Sequence, residues 1–78
     1  MKLTHDPKAN IAYIQFRERE GDLETIKVTS DLFVDIDETG QVCGIELLDA
    51  NAQLVSGHDG KLLYVNPLNG NSQELKVA

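Results

Sequence analysis

Four stretches of this chain alternate apolar and polar residues with a period of two, and that pattern commits them to β-strands with one face turned inward. In "NIAYIQFRE" the residues Ala12, Ile14 and Phe16 alternate with Tyr13, Gln15 and Arg17. "LETIKVT" repeats the device with Ile26 and Val28, "DLFVDID" with Leu32, Val34 and Ile36, and "VCGIELL" with Cys43, Ile45 and Leu47. Between the first two strands, a loop of Arg19, Glu20 and Gly21 puts glycine where a tight hairpin needs a left-handed residue. That loop sets Ile14 opposite Ile26 and Ala12 opposite Val28, so the apolar faces match. The short link Thr29 to Asp31 makes the second and third strands antiparallel neighbours, continuing a meander.

"DANAQLV" suits a short helix, with Asp49 capping its free amides and Gly57 ending it in a left-handed conformation. A helix of this length survives only by packing. Beyond it come the Asp59-Gly60 turn, the apolar run Leu62 to Val65, a tight turn between Pro67 and Gly70, and a strand at Glu74 to Val77. These form a second hairpin, whose pairing with its own sheet or with another chain stays open. The expected fold is α+β and mostly β: a small antiparallel meander with one short helix and a C-terminal hairpin or strand. No repeat or linker divides residues 1–78, so they form one domain, with 1–55 as meander plus helix and 56–78 as an extension.

"DIDETGQVCGIE" carries the ligand spacing of a helix–loop–helix calcium site: Asp35, Asp37, Thr39, the Gln41 carbonyl and a bidentate Glu46, with Gly40 at the turn and Cys43 in the ninth place. Its context disagrees. "KVTSDLFV" is β-branched and alternates with period two, where an entering helix needs apolar residues three and four apart. With Thr39 and Gly40 at the tip, Ile36 faces Cys43, Val34 faces Ile45 and Leu32 faces Leu47, all apolar pairs. Asp35 then lies opposite Gly44 and Phe33 opposite Glu46, and two diagonal carboxylates cannot surround an ion that takes six to eight oxygens. The stretch is a β-hairpin with an acidic tip, and no metal or cofactor is assigned to it.

A chain of 8.6 kDa buries only about 60% of its unfolded surface, and domains this small are commonly reinforced by metals, disulfides or association. One cysteine excludes an intramolecular disulfide, and His5 and His58 lack any zinc spacing. Association is what remains. Thirteen acidic residues against seven basic give a net charge of -6, which disfavours nucleic acid and anionic membranes. No apolar stretch reaches signal-peptide or membrane-spanning length, so the expected location is cytoplasmic.

The segments "HDPKANIAYIQF", "LETIKV" and "DLFVDIDETGQVCGIELLDA" together resemble the prokaryotic family known as domain of unknown function 2283. The resemblance rests on Asp6-Pro7, Ala9-Asn10, Tyr13-Ile14, Glu24-Thr25 and the acidic hairpin with Asp35, Asp37, Gly40 and Gly44-Ile45-Glu46. It covers about the first fifty residues, and "LLYVNPLNGNSQELKV" departs from the family's compact ending. It implies a small antiparallel sheet that begins with a short strand and carries a short helix. Family members are similar to small partner proteins encoded beside toxin-like genes, which implies an antitoxin-like or other binding role.

Asp6, Asn10, Glu24, Asp35 and Glu46 are the candidates for a polar site, but structural tasks account for them better. Asp6-Pro7 and Asn10 form turns, Glu24 starts an exposed strand, and Asp35, Asp37 and Glu38 point to water near a hairpin tip. Gly44 permits a bulge or close backbone approach, Cys43 is an inert thiol on the apolar face, and both histidines are surface residues near turns. No catalytic triad order, phosphate loop or paired-cysteine motif indicates an enzyme. Ile11, Tyr13, Phe33, Val42 and Leu48 point away from the face of Ile14, Ile26, Val34 and Ile45. With two apolar faces and one short helix, the expected protein is a homodimeric protein-interaction module. The alternative is a domain that binds a small molecule or divalent cation at the acidic hairpin.

Overall fold

The computed structural model describes residues 1–55 and 57–77. Strands β1 (Lys2–Asp6), β2 (Ile11–Gln15), β3 (Glu24–Thr29), β4 (Leu32–Ile36) and β5 (Val42–Leu48) form one antiparallel sheet in the order β1-β2-β5-β4-β3. Helix α1 (Ala50–Val55) and a 3-10 turn (His58–Gly60) follow, and β6 (Lys61–Asn66) pairs with β7 (Asn71–Lys76) in a separate hairpin. The fold class is the one expected, and the tail pairs with itself. β3, β4 and β5 form the expected meander, with Val34 opposite Ile45 and Leu32 opposite Leu47.

The first hairpin is different. β2 pairs with β1 and β5, and β3 lies two strands away at the far edge. Ile14 and Ile26 do share a row, Leu3–Ile14–Ile45–Val34–Ile26, but Ile45 and Val34 stand between them. Alternation assigns a residue to a face and leaves its neighbouring strand undetermined. The neighbour is chosen by local chemistry. The Asp6 carboxylate accepts the amides of Lys8 and Ala9 at 3.0 and 3.1 Å, which closes a β1–β2 turn, and Gly44 lets β5 lie against β2 where a Cβ would sit 2.8 Å from the Ile14 carbonyl oxygen. Gly21 is left-handed as expected (φ 72°), but within a segment that crosses the end of the sheet.

Two smaller expectations also change. A bulge in β5 pairs Ile36 with Val42, so Cys43 is not opposite Ile36. Asp49 does not cap α1: it is itself left-handed (φ 51°), and the helix amides of Ala50 and Asn51 are taken by the carbonyl and side-chain oxygens of Asn10 at 3.2 and 2.8 Å. Gly57 is extended (φ -120°, ψ 151°), and the left-handed residues that follow it are His58, Asp59 and Gly60.

His5 on β1 meets Asn51 at 2.8 Å, so α1 lies over one end of the sheet face that carries Ala12 and Leu47. His5 is therefore half-buried against the helix rather than a surface turn residue. Only Ala12, Cys43 and Ala50 are buried apolar residues among those described, and no large side chain is fully buried. The molecule is a slab of 36 × 33 × 18 Å, one sheet thick over most of its area.

Candidate functional site

On the sheet face away from α1, register aligns Gln15, Gly44, Asp35 and Thr25 across four strands. The Thr25 hydroxyl donates to one Asp35 oxygen at 2.7 Å and the Tyr13 hydroxyl to the other at 2.8 Å. Tyr13 crosses β5 to reach Asp35 because position 44 has no side chain, and a Cβ there would overlap the phenol. Burial, then the Asp35 hydrogen bond and charge, push the Tyr13 hydroxyl up to about 12. Asp35 is thus half-buried with both oxygens occupied, instead of pointing to water.

Asp37 is also turned inward, at 6% exposure. One oxygen accepts the Thr39 hydroxyl at 2.5 Å and the amides of Thr39 and Gln41 at 2.9 and 3.3 Å, and the other faces the Cys43 thiol at 3.4 Å. The Thr39 bond, with the help of the amides and the thiol, holds the carboxyl at about 2 despite its burial. Gly40 takes φ 83° and its amide closes the turn on the Asp37 carbonyl at 3.0 Å, so the tip falls at Thr39-Gly40 as expected. Burial and the facing Asp37 carboxylate push the Cys43 thiol up, which suppresses the nucleophilic thiolate.

Of the carboxylates at the calcium-ligand places, Asp35 and Asp37 therefore already have hydrogen-bond donors on them. Thr39 serves Asp37, Asp35 serves Thr25 and Tyr13, and Glu46 lies opposite Phe33 and Tyr13. Asp6 and Asn10 belong to the turn at the opposite end of β2 from Gln15, and Glu24 is exposed on the edge strand. Among the described residues no group of three or more His, Cys, Asp or Glu is placed to hold a metal ion. Tyr13 and Thr25 were not singled out by the sequence as partners of Asp35. For Tyr13 the signal lay in a register that needs β2 beside β5; for Thr25 it lay in the β3–β4 register, between strands expected to be neighbours.

Beside this network a depression of about 280 Å³ is lined by Lys2, Tyr13, Arg17, Arg19 and Leu23 among others. Arg17 is engaged with the Gln41 side chain, and the network supplies no activated nucleophile. The larger feature is on the other face. Leu3, Ile14, Leu32, Val34, Ile36, Ile45 and Leu47 are only half-buried there, Ile26 and Phe16 are each 40% exposed, and α1 reaches only one end. Among the described residues only α1 lies over this apolar sheet face, and only at one end.

Residues 2–51 match the model of a family described as protein of unknown function (DUF2283). No curated protein and no solved structure matches the chain significantly. No helix among the described residues is long and apolar enough to cross a membrane.

Proposed function

The chain belongs to the DUF2283 family, and from its uncovered surface we propose that it is a cytoplasmic, non-enzymatic protein-interaction module that works as a homodimer. The observation that carries this reading is the apolar sheet face without a second layer. A sheet that is apolar on one face buries it against another element, and soluble monomers rarely leave such a patch open.

The surface area supports it. The chain exposes 5751 Å², whereas a compact monomer of its mass exposes about 4,700 Å². The excess, about 1,000 Å², is close to the ~800 Å² that each partner contributes to a standard stable interface. The radius of gyration, 14.0 Å, likewise exceeds the roughly 11.5 Å of a compact chain this long. An antitoxin-like role is one case of the reading, in which the further partner is a toxin.

The test is mass in solution by sedimentation equilibrium: a dimer at micromolar concentration supports the module, and 8.6 kDa throughout overturns it. Cation binding at the acidic hairpin finds less support, because the oxygens of Asp35 and Asp37 already have partners. Stabilisation by calcium that is lost in Asp35→Asn favours that alternative.

A further inference from the structure

We infer that the apolar sheet face is covered by the β6–β7 hairpin of a second copy, exchanged reciprocally between two chains; this rests on the homodimer reading above. An isolated two-stranded hairpin is marginal in water, yet every residue of β6 and β7 except Asn66 is exposed. Leu62, Tyr64 and Leu75 lie on one face by register and border a shared depression, at 46%, 63% and 54% exposure. The apolar side chains Leu62, Tyr64 and Leu75 therefore stand uncovered on a face that they share with Gln73.

Its own sheet is not the occupant. The Val77 amide bonds the Gly60 carbonyl at 2.8 Å and β6 packs against α1 and the 3-10 turn, which holds the hairpin beside the helix without extensive contact with any strand of the main sheet. A second copy offers the same two surfaces, each lacking what the other supplies. The dimensions agree: the row Leu3–Ile14–Ile45–Val34–Ile26 spans about 19 Å across five strands, and six-residue strands extend about 20 Å.

Charge favours the same arrangement. Two of the seven basic residues, Lys61 and Lys76, lie in the hairpin against one of the thirteen acidic ones, Glu74. Lys61 is paired with Glu74 at 3.3 Å, on the hairpin face opposite Leu62 and Tyr64, so the arm brings little charge of its own to the contact, whereas the rest of the chain is strongly acidic and two such bodies repel each other. Packing of sheet face on sheet face would bring the two acidic bodies together and leave both hairpins bare.

The test uses full-length chains carrying one new cysteine each, Tyr64→Cys or Ile26→Cys, mixed and treated with a short bismaleimide; Cys43 is buried at 2% exposure, and the unsubstituted chain is the control. Arm exchange gives a cross-linked dimer in the mixture several-fold more abundant than with either variant alone. Leu62→Cys mixed with Val28→Cys repeats the test should a first variant misfold. Sedimentation of the same variants separates the two levels. A dimer that links Ile26→Cys to itself, or Tyr64→Cys to itself, overturns arm exchange and leaves the homodimer standing, whereas a monomer that links nothing overturns both.

Discussion

The side-chain oxygen of Asn10 accepts the backbone amide of Asn51 at 2.8 Å, so the turn between the first two strands caps a helix 41 residues later. The Asn10 amide group also donates to Asp49 at 3.3 Å, which ties the end of β5 to the same turn. A six-residue helix has little stability of its own, and this contact with a distant turn is what orders its start.

Asn10 is left-handed (φ 61°), so substitutions separate cap from backbone. Asn10→Gly keeps the conformation and loses the side-chain hydrogen bonds to Asn51 and Asp49, at a cost of about 1 kcal/mol, whereas Asn10→Ala adds about 1 kcal/mol of left-handed strain. Asp49→Gly, at a left-handed residue that caps nothing, changes stability by under about 0.5 kcal/mol. Urea unfolding of the three variants measures the order; a larger loss at Asp49 than at Asn10 contradicts the remote cap.

Gly44→Ala destabilises by about 2 kcal/mol, because the new methyl meets both the Tyr13 phenol and the backbone of β2. The phenol can swing away but the Ile14 carbonyl cannot. Tyr13→Phe in the same chain therefore recovers only part of the loss, as read from urea midpoints.

With the Tyr13 hydroxyl raised from 10.0 to about 12, folding favours the protonated phenol. The associated stability is complete below pH 10 and is lost as pH rises through 12. Ultraviolet titration in a Tyr64→Phe background isolates Tyr13. Asp35→Asn moves its midpoint down only partway, since burial is the larger cause and remains.

Asp37 has the opposite sign. Its folded value of about 2 lies below the ordinary 3.8, so its contribution is complete above about pH 4 and is lost as pH falls toward 2. Thr39→Val removes the hydroxyl that contributes most and raises the Asp37 midpoint, observable by carboxyl NMR titration. An unchanged midpoint contradicts the hydrogen bond at the tip.

Strand identity and facing were legible because side-chain period is a local property. Leu32–Leu47 and Val34–Ile45 follow from one tight tip, and the sequence placed them correctly. Ile14 and Ile26 were placed on the same face, but adjacency was not readable: the pattern is satisfied equally with two strands inserted between them. The Asn10 cap and the Tyr13–Asp35 bond were hidden for the same reason, since each joins segments whose proximity depends on the β2–β5 pairing, whereas Thr25 and Asp35 sit on strands that the sequence did place side by side. The acidic tip was placed correctly, yet Asp37 turned inward because three donors of its own loop outweigh exposure to water.

The central claim is that one chain does not cover its own sheet. Sedimentation equilibrium between about 1 and 100 μM, the range where specific dimers of modest affinity assemble, tests it most directly. The account predicts a mass of twice 8.6 kDa, with any dissociation confined to the lowest concentrations; a mass of 8.6 kDa across the whole range contradicts it.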